Sequence, residues 1–131
     1  MKAVYATGTN YDDPLSVFEV GTMPEPETKP FWSTIRVKSA SVNHHDVWSL
    51  QGVGLSDEQT PMILGTDAAG VLQEDIPVRK GLKAGSEVVL YTFVGTDGAG
   101  VMPGERRSIL SERYAGTMAE YTQVPSANVF A

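Results

Sequence analysis

The sequence predicts a mainly β domain, a barrel or sandwich of many short strands with one small helix. Three observations lead there. Thirteen glycines and eight prolines in 131 residues supply more turns than an average chain holds. The apolar runs are short, and the clearest one has a period of two: Ile35 and Val37 alternate with Arg36 and Lys38. An apolar fraction of 41% over this length can form one core without disulfides or a metal.

In chain order, Met1 to Ala6 reads as a strand and Leu15 to Gly21 as another. Pro24, Pro26 and Pro30 stiffen an extended connector, because proline fixes φ and restricts its predecessor. The strand around Ile35 follows. Asn43 to Gln51 reads as a short helix, with Asn43 as N-cap, Asp46 reaching back in a capping box, and Gly52 as the stop. Val47 and Leu50 give that helix a small apolar face. After a turn at 54–57, Met62 to Leu72 reads as a strand broken by Gly65 and Gly70, which mark bends or close backbone approaches. Glu87 to Val94 reads as a buried strand, a long loop follows, and Thr117 to Val124 reads as a last full strand. From Pro125 to Ala131 a new element begins, so the chain is expected to be part of something longer.

Several function classes are excluded. Ten Lys and Arg against sixteen Asp and Glu leave a net charge of −6, with no basic run beyond Arg106-Arg107. Nucleic acid is therefore not an expected partner. No cysteine is present, which removes disulfides, thiol catalysis and thiolate metal sites. The longest apolar uncharged stretch, Val88 to Thr96, is far shorter than the ~20 residues of a membrane span. The N-terminus lacks a signal peptide's apolar region, so a soluble, cytoplasmic protein without a membrane partner is expected.

The candidate chemistry lies in two places. His44, His45 and Asp46 are adjacent, and imidazole and carboxylate both bind zinc. Neighbouring helix residues diverge by about 100°, however, so they chelate one ion poorly. The other readings are capping with solvated imidazoles, or a role beside a bound ligand. Thr66 and Asp67 stand within Gly65 to Gly70, where the carboxylate is either paired and structural or faces a cleft. Trp48 is either a core anchor or a cleft wall. The glycines at 98, 100 and 104 lack dinucleotide-fingerprint spacing, and Pro103 stands where the helix should run.

The order of the pieces is more specific than any one of them. Met1 to Val4, then Ser41 to Asp46, Pro61 to Val71, Gly85 to Val89, Gly116 to Tyr121 and Val124-Pro125 together resemble a known pattern. It is the N-terminal GroES-like catalytic domain of the medium-chain dehydrogenase/reductase superfamily. The zinc-independent quinone oxidoreductase branch is the most similar, and Arg107 to Arg113 also resembles members known as zinc-binding dehydrogenases.

The resemblance implies a GroES-like, partly open β-barrel over residues 1–131, with a Rossmann-type cofactor domain downstream. It places a zinc-ligand cysteine of the alcohol dehydrogenases at Asn43 and a ligand histidine at Thr66, both poor zinc donors here. The four cysteines of the structural zinc lobe, between Val94 and Gly116, are also missing. No zinc is therefore expected. It further implies His45 as the proton-relay residue, and Asn43, His44 and Trp48 as residues facing the NADPH or NADH cofactor. Thr66 and Asp67 would line the substrate pocket. The expected substrate is a small electrophile such as a quinone or an activated alkene or carbonyl. The resemblance also implies a homodimer for the full-length enzyme, and an isolated domain that is inactive. The alternatives are a stand-alone GroES-like interaction module, a zinc-dependent alcohol dehydrogenase domain, and a metal-binding domain using His44, His45 and Asp46.

Overall fold

The computed structural model describes residues 1–79, 81–95 and 107–131. The chain runs β1 (Lys2–Ala6), β2 (Phe18–Thr22), β3 (Trp32–Ala40), α1 (His44–Leu50), β4 (Met62–Ile63) and β5 (Ala68–Leu72). It continues with β6 (Glu87–Leu90), β7 (Phe93–Val94), β8 (Ser108–Ile109), β9 (Tyr121–Pro125) and β10 (Val129–Phe130). The strands form a three-stranded sheet ordered β2-β1-β4, a five-stranded sheet ordered β10-β6-β5-β3-β9, and the pair β7-β8.

Strand β3 lies between β5 and β9, antiparallel to both, and shows the alternation expected of it: Ile35 is fully buried while Arg36 and Lys38 are exposed. Its register against β5 slips between Val37 and Ser39. Gly70 is needed beside that slip, since a Cβ there would overlap the Arg36 carbonyl oxygen. Ile35, Leu72, Val88, Leu90, Leu110, Val124 and Val129 fill the main core under the five-stranded sheet. A second core of Ala6, Leu50, Leu55 and Leu64 seats α1 against β1. Fully burying one such leucine contributes about 1.5–3 kcal/mol, so Leu50 alone gives this short helix a strong reason to stay in place.

Three expected strands are corrected. Leu15 to Gly21 divides into a 3-10 turn over Pro14–Val17 and strand β2, because Pro14 sits at the start of the turn and presets helical φ. Glu87 to Val94 is not one buried strand. It breaks after Leu90, and Val89, Tyr91 and Phe93 are substantially exposed while Val88, Leu90 and Val94 point into the core. Thr117 to Val124 is regular only from Tyr121, because residues 117–120 run irregularly alongside β1 and residues 64–65. The new element expected after Pro125 is a 3-10 turn over Ser126–Asn128 followed by β10. The glycine-rich 98–104 segment lies outside the described residues. Among the described residues no helix is long and apolar enough to cross a membrane.

Candidate active site

Helix α1 starts as its sequence dictates. Asn43 is extended and caps it, and the Asp46 carboxylate reaches back to accept the Asn43 backbone N–H at 2.8 Å. The other Asp46 oxygen accepts the Gly65 N–H at 3.1 Å, in a buried contact. Asp46 is thus 5% exposed, with both oxygens engaged by backbone donors, and it ties the helix start to the turn that opens β5. That turn needs Gly65, whose φ of +98° suits no β-carbon and whose missing side chain leaves room for Thr117.

This tie brings together the two motifs read from the sequence. The Asn43 side-chain amide donates to Thr66 Oγ1 at 3.4 Å, to Asp67 Oδ2 at 3.3 Å and to Ser41 Oγ at 3.3 Å. Ser41 in turn donates to Asp67 from its hydroxyl, at 2.7 and 2.8 Å to the two oxygens, and from its backbone N–H at 3.1 Å. Partial burial pushes the Asp67 carboxyl up. The donors from Ser41 and Asn43 together outweigh it and hold the group below the ordinary value of 3.8. Asp67 therefore stays ionised at neutral pH. Thr66 is buried, whereas Asp67 and Ser41 are exposed along an open cleft of about 330 Å³ that Ala69, Val89 and Leu90 also line.

The remaining site residues separate around the helix. His44 and Trp48, four residues apart, stack with ring centroids 5.0 Å apart and planes 20° from parallel. Trp48 is 48% exposed, so it is not a core anchor. One position round, His45 lies over Ser49, its Nδ1 3.5 Å from Ser49 Oγ, while its Nε2 meets Glu112 Oε1 at 3.1 Å. Both ring nitrogens of His45 thus engage groups other than Asn43, Thr66 and Asp67. Sequence reasoning missed Ser41, Ser49 and Glu112. Ser41 and Glu112 both lie inside the quoted motifs, and their chemistry gave the available signal.

Zinc prefers sulfur, imidazole and carboxylate ligands. The Asn43–Thr66–Asp67 cluster offers one carboxylate, an amide whose nitrogen faces its neighbours, and hydroxyls. Among the described residues no group of three His, Cys, Asp or Glu gathers closely enough to hold a metal ion. This donor set does not fit zinc.

The mainly β fold thus carries its capped helix and its Gly-Thr-Asp turn at one polar site. Residues 29–131 match the family model of the alcohol dehydrogenase GroES-like domain, and the chain belongs to that family. Three solved structures give the comparison detail. An NAD-dependent alcohol dehydrogenase is 36% identical with a TM-score of 0.78, covering 99% of this chain and 39% of its own. A cobalt- and zinc-bound thermostable alcohol dehydrogenase from Pyrobaculum aerophilum is 27% identical with a TM-score of 0.78, covering 100% of this chain and 40% of its own. The 2R,3R-butanediol dehydrogenase of Bacillus subtilis, 20% identical with a TM-score of 0.76 and covering 98% of this chain and 39% of its own, shares the fold. The chain thus spans about two-fifths of the length of these dehydrogenases. A comparison with curated proteins gives no match.

Proposed function

We propose that this chain is the substrate-side domain of an NAD(P)H-dependent oxidoreductase that reduces a quinone or an activated alkene or carbonyl without a catalytic zinc. The observation that carries the reading is the Asn43–Thr66–Asp67 cluster. Membership of the family supports reading this cluster as the catalytic position, and it offers an amide, hydroxyls and a single carboxylate where zinc would need several imidazole, thiolate or carboxylate ligands. A Rossmann-type domain beyond this chain would bind the nicotinamide cofactor, with the exposed His44–Trp48 ring pair of this chain against it.

When bound, the nicotinamide supplies the hydride. The residues here handle what reduction leaves behind. Negative charge collects on the substrate's oxygen, and without a Lewis acid it needs hydrogen-bond donors. The Asn43 amide and the Thr66 hydroxyl would supply them; Ser41 and Asp67 orient the amide, and the Thr66 oxygen accepts from it, which leaves the Thr66 hydrogen free for the substrate. The carboxylate of Asp67 accepts from the Ser41 hydroxyl and the Asn43 amide and stays charged, so it orients the amide without competing as an acid. His45 carries the proton that completes reduction, since imidazole is the side chain whose ordinary pKa lies nearest neutrality.

The test uses the protein that carries this chain together with its cofactor domain. Quinone reduction with NADPH or NADH should continue after exhaustive chelation. Replacing Asn43 by Ala should lower kcat/KM about 100-fold, the scale of one lost oxyanion donor. Activity that chelation abolishes and zinc restores would overturn the proposal.

A further inference from the structure

His45 and Glu112 lie 67 residues apart in the chain, on elements that pack against different cores. His45 belongs to α1, seated by Leu50 on the smaller core. Glu112 sits on the 111–113 turn, between fully buried Leu110 and Tyr114, which packs against the larger core. The Ser111 N–H closes this turn onto the Tyr114 carbonyl at 2.8 Å.

Two features of the surroundings accompany the contact. Ser111 is wholly buried at φ +70°, a left-handed conformation uncommon for any residue but glycine, and among the described residues its hydroxyl finds no partner. The left-handed step belongs to the turn that the Ser111–Tyr114 hydrogen bond closes. It directs the next side chain, Glu112, across to the helix. Gly54, in the turn after α1, has φ +76°, and a Cβ on it would collide with the Glu112 carboxylate. With the carboxylate where it stands, residue 54 has to lack a side chain.

We infer that Glu112 is the positioning residue for His45, holding its ring in one orientation with the hydrogen on Nε2. This rests on the reading of His45 as the proton-carrying group. A carboxylate only accepts, so the Nε2 that meets it must donate. In the neutral ring this leaves Nδ1 as the basic atom, facing Ser49 Oγ. Glu112 thus sets which nitrogen takes up and releases the proton, as carboxylates and carbonyls do for histidines elsewhere.

Nitrogen-15 NMR of this chain tests the assignment, with exposed His44 as the internal control. His45 should show a resolved, exchange-protected Nε2–H proton and a bare Nδ1. Glu112→Ala should remove the protected proton and leave His44 unchanged. Glu112→Gln, whose amide oxygen also accepts, should keep it. A His45 hydrogen on Nδ1, or the same protected signal in Glu112→Ala, would overturn the inference. In the protein with its cofactor domain, Glu112→Ala should lower kcat about tenfold at unchanged KM, within the usual range for outer-shell partners. It should lower nothing further in a His45→Ala background. An equal fall in both backgrounds would overturn the coupling. If His45→Ala has no effect on the rate, the proton-carrying role fails, while the NMR result still decides whether Glu112 fixes the ring.

Discussion

Two aspartates flank the same turn and have opposite fates. Asp46 is buried, and both its oxygens accept backbone N–H groups, one from its own helix and one from Gly65. Asp67 is exposed, and side chains supply most of its donors: the hydroxyl of Ser41 and the amide of Asn43. Backbone partners cannot be exchanged without unmaking the fold, whereas side-chain partners can re-form around a ligand. The first carboxylate builds the site and the second belongs to it.

Three experiments would break or sharpen that contrast. The largest effect is expected from Asp46→Ala, which removes a cap and strands two N–H groups, one of them in the interior. The loss of a cap together with a buried unsatisfied donor costs about 3 kcal/mol, readable as a fall in the urea midpoint. A loss under about 1 kcal/mol would make Asp46 no more structural than a surface residue.

Trp48→Ala should cost much less, about 0.5–1 kcal/mol, because the ring is half exposed and its stacking partner is His44. A loss of about 3–5 kcal/mol, the range for a core aromatic, would place Trp48 in the interior after all.

The smallest effect is the acid response of Asp67. Its carboxyl titrates below the ordinary value of 3.8 in the folded chain. It therefore adds stability while ionised, and that contribution is lost as pH falls from about the ordinary value through the lower folded one. Wild type should lose stability more steeply than Asp67→Asn in that acid window, and the difference should be constant above it. Solvent screens so exposed a group, so the gap between the two curves should be narrow. Parallel curves throughout would show that Ser41 and Asn43 do not hold the charge.

Legibility in the sequence followed the range of each interaction. The capping box of Asn43 and Asp46 spans three residues, and sequence spacing was enough to find it. The bend at Gly65 and the close approach at Gly70 were readable for the same reason, since each needs one residue without a β-carbon. The Asp46–Gly65 bond crosses 19 residues and the His45–Glu112 bond 67, and no local pattern encodes either. Glu87 to Val94 was misread because apolar content stood in for periodicity: Val89, Tyr91 and Phe93 leave a substantial apolar face outside the core. The order of motifs, unlike any single one, was enough to reach the family, which residues 29–131 match.

Zinc content most directly tests whether Asn43, Thr66 and Asp67 form a hydrogen-bonding site and not a metal centre. It should be measured by elemental analysis on the protein carrying this chain and its cofactor domain, purified in zinc-supplemented buffer and desalted. Far less than one zinc per chain is expected, unchanged in Asn43→Ala and Asp67→Ala. Stoichiometric zinc that either substitution removes would contradict it.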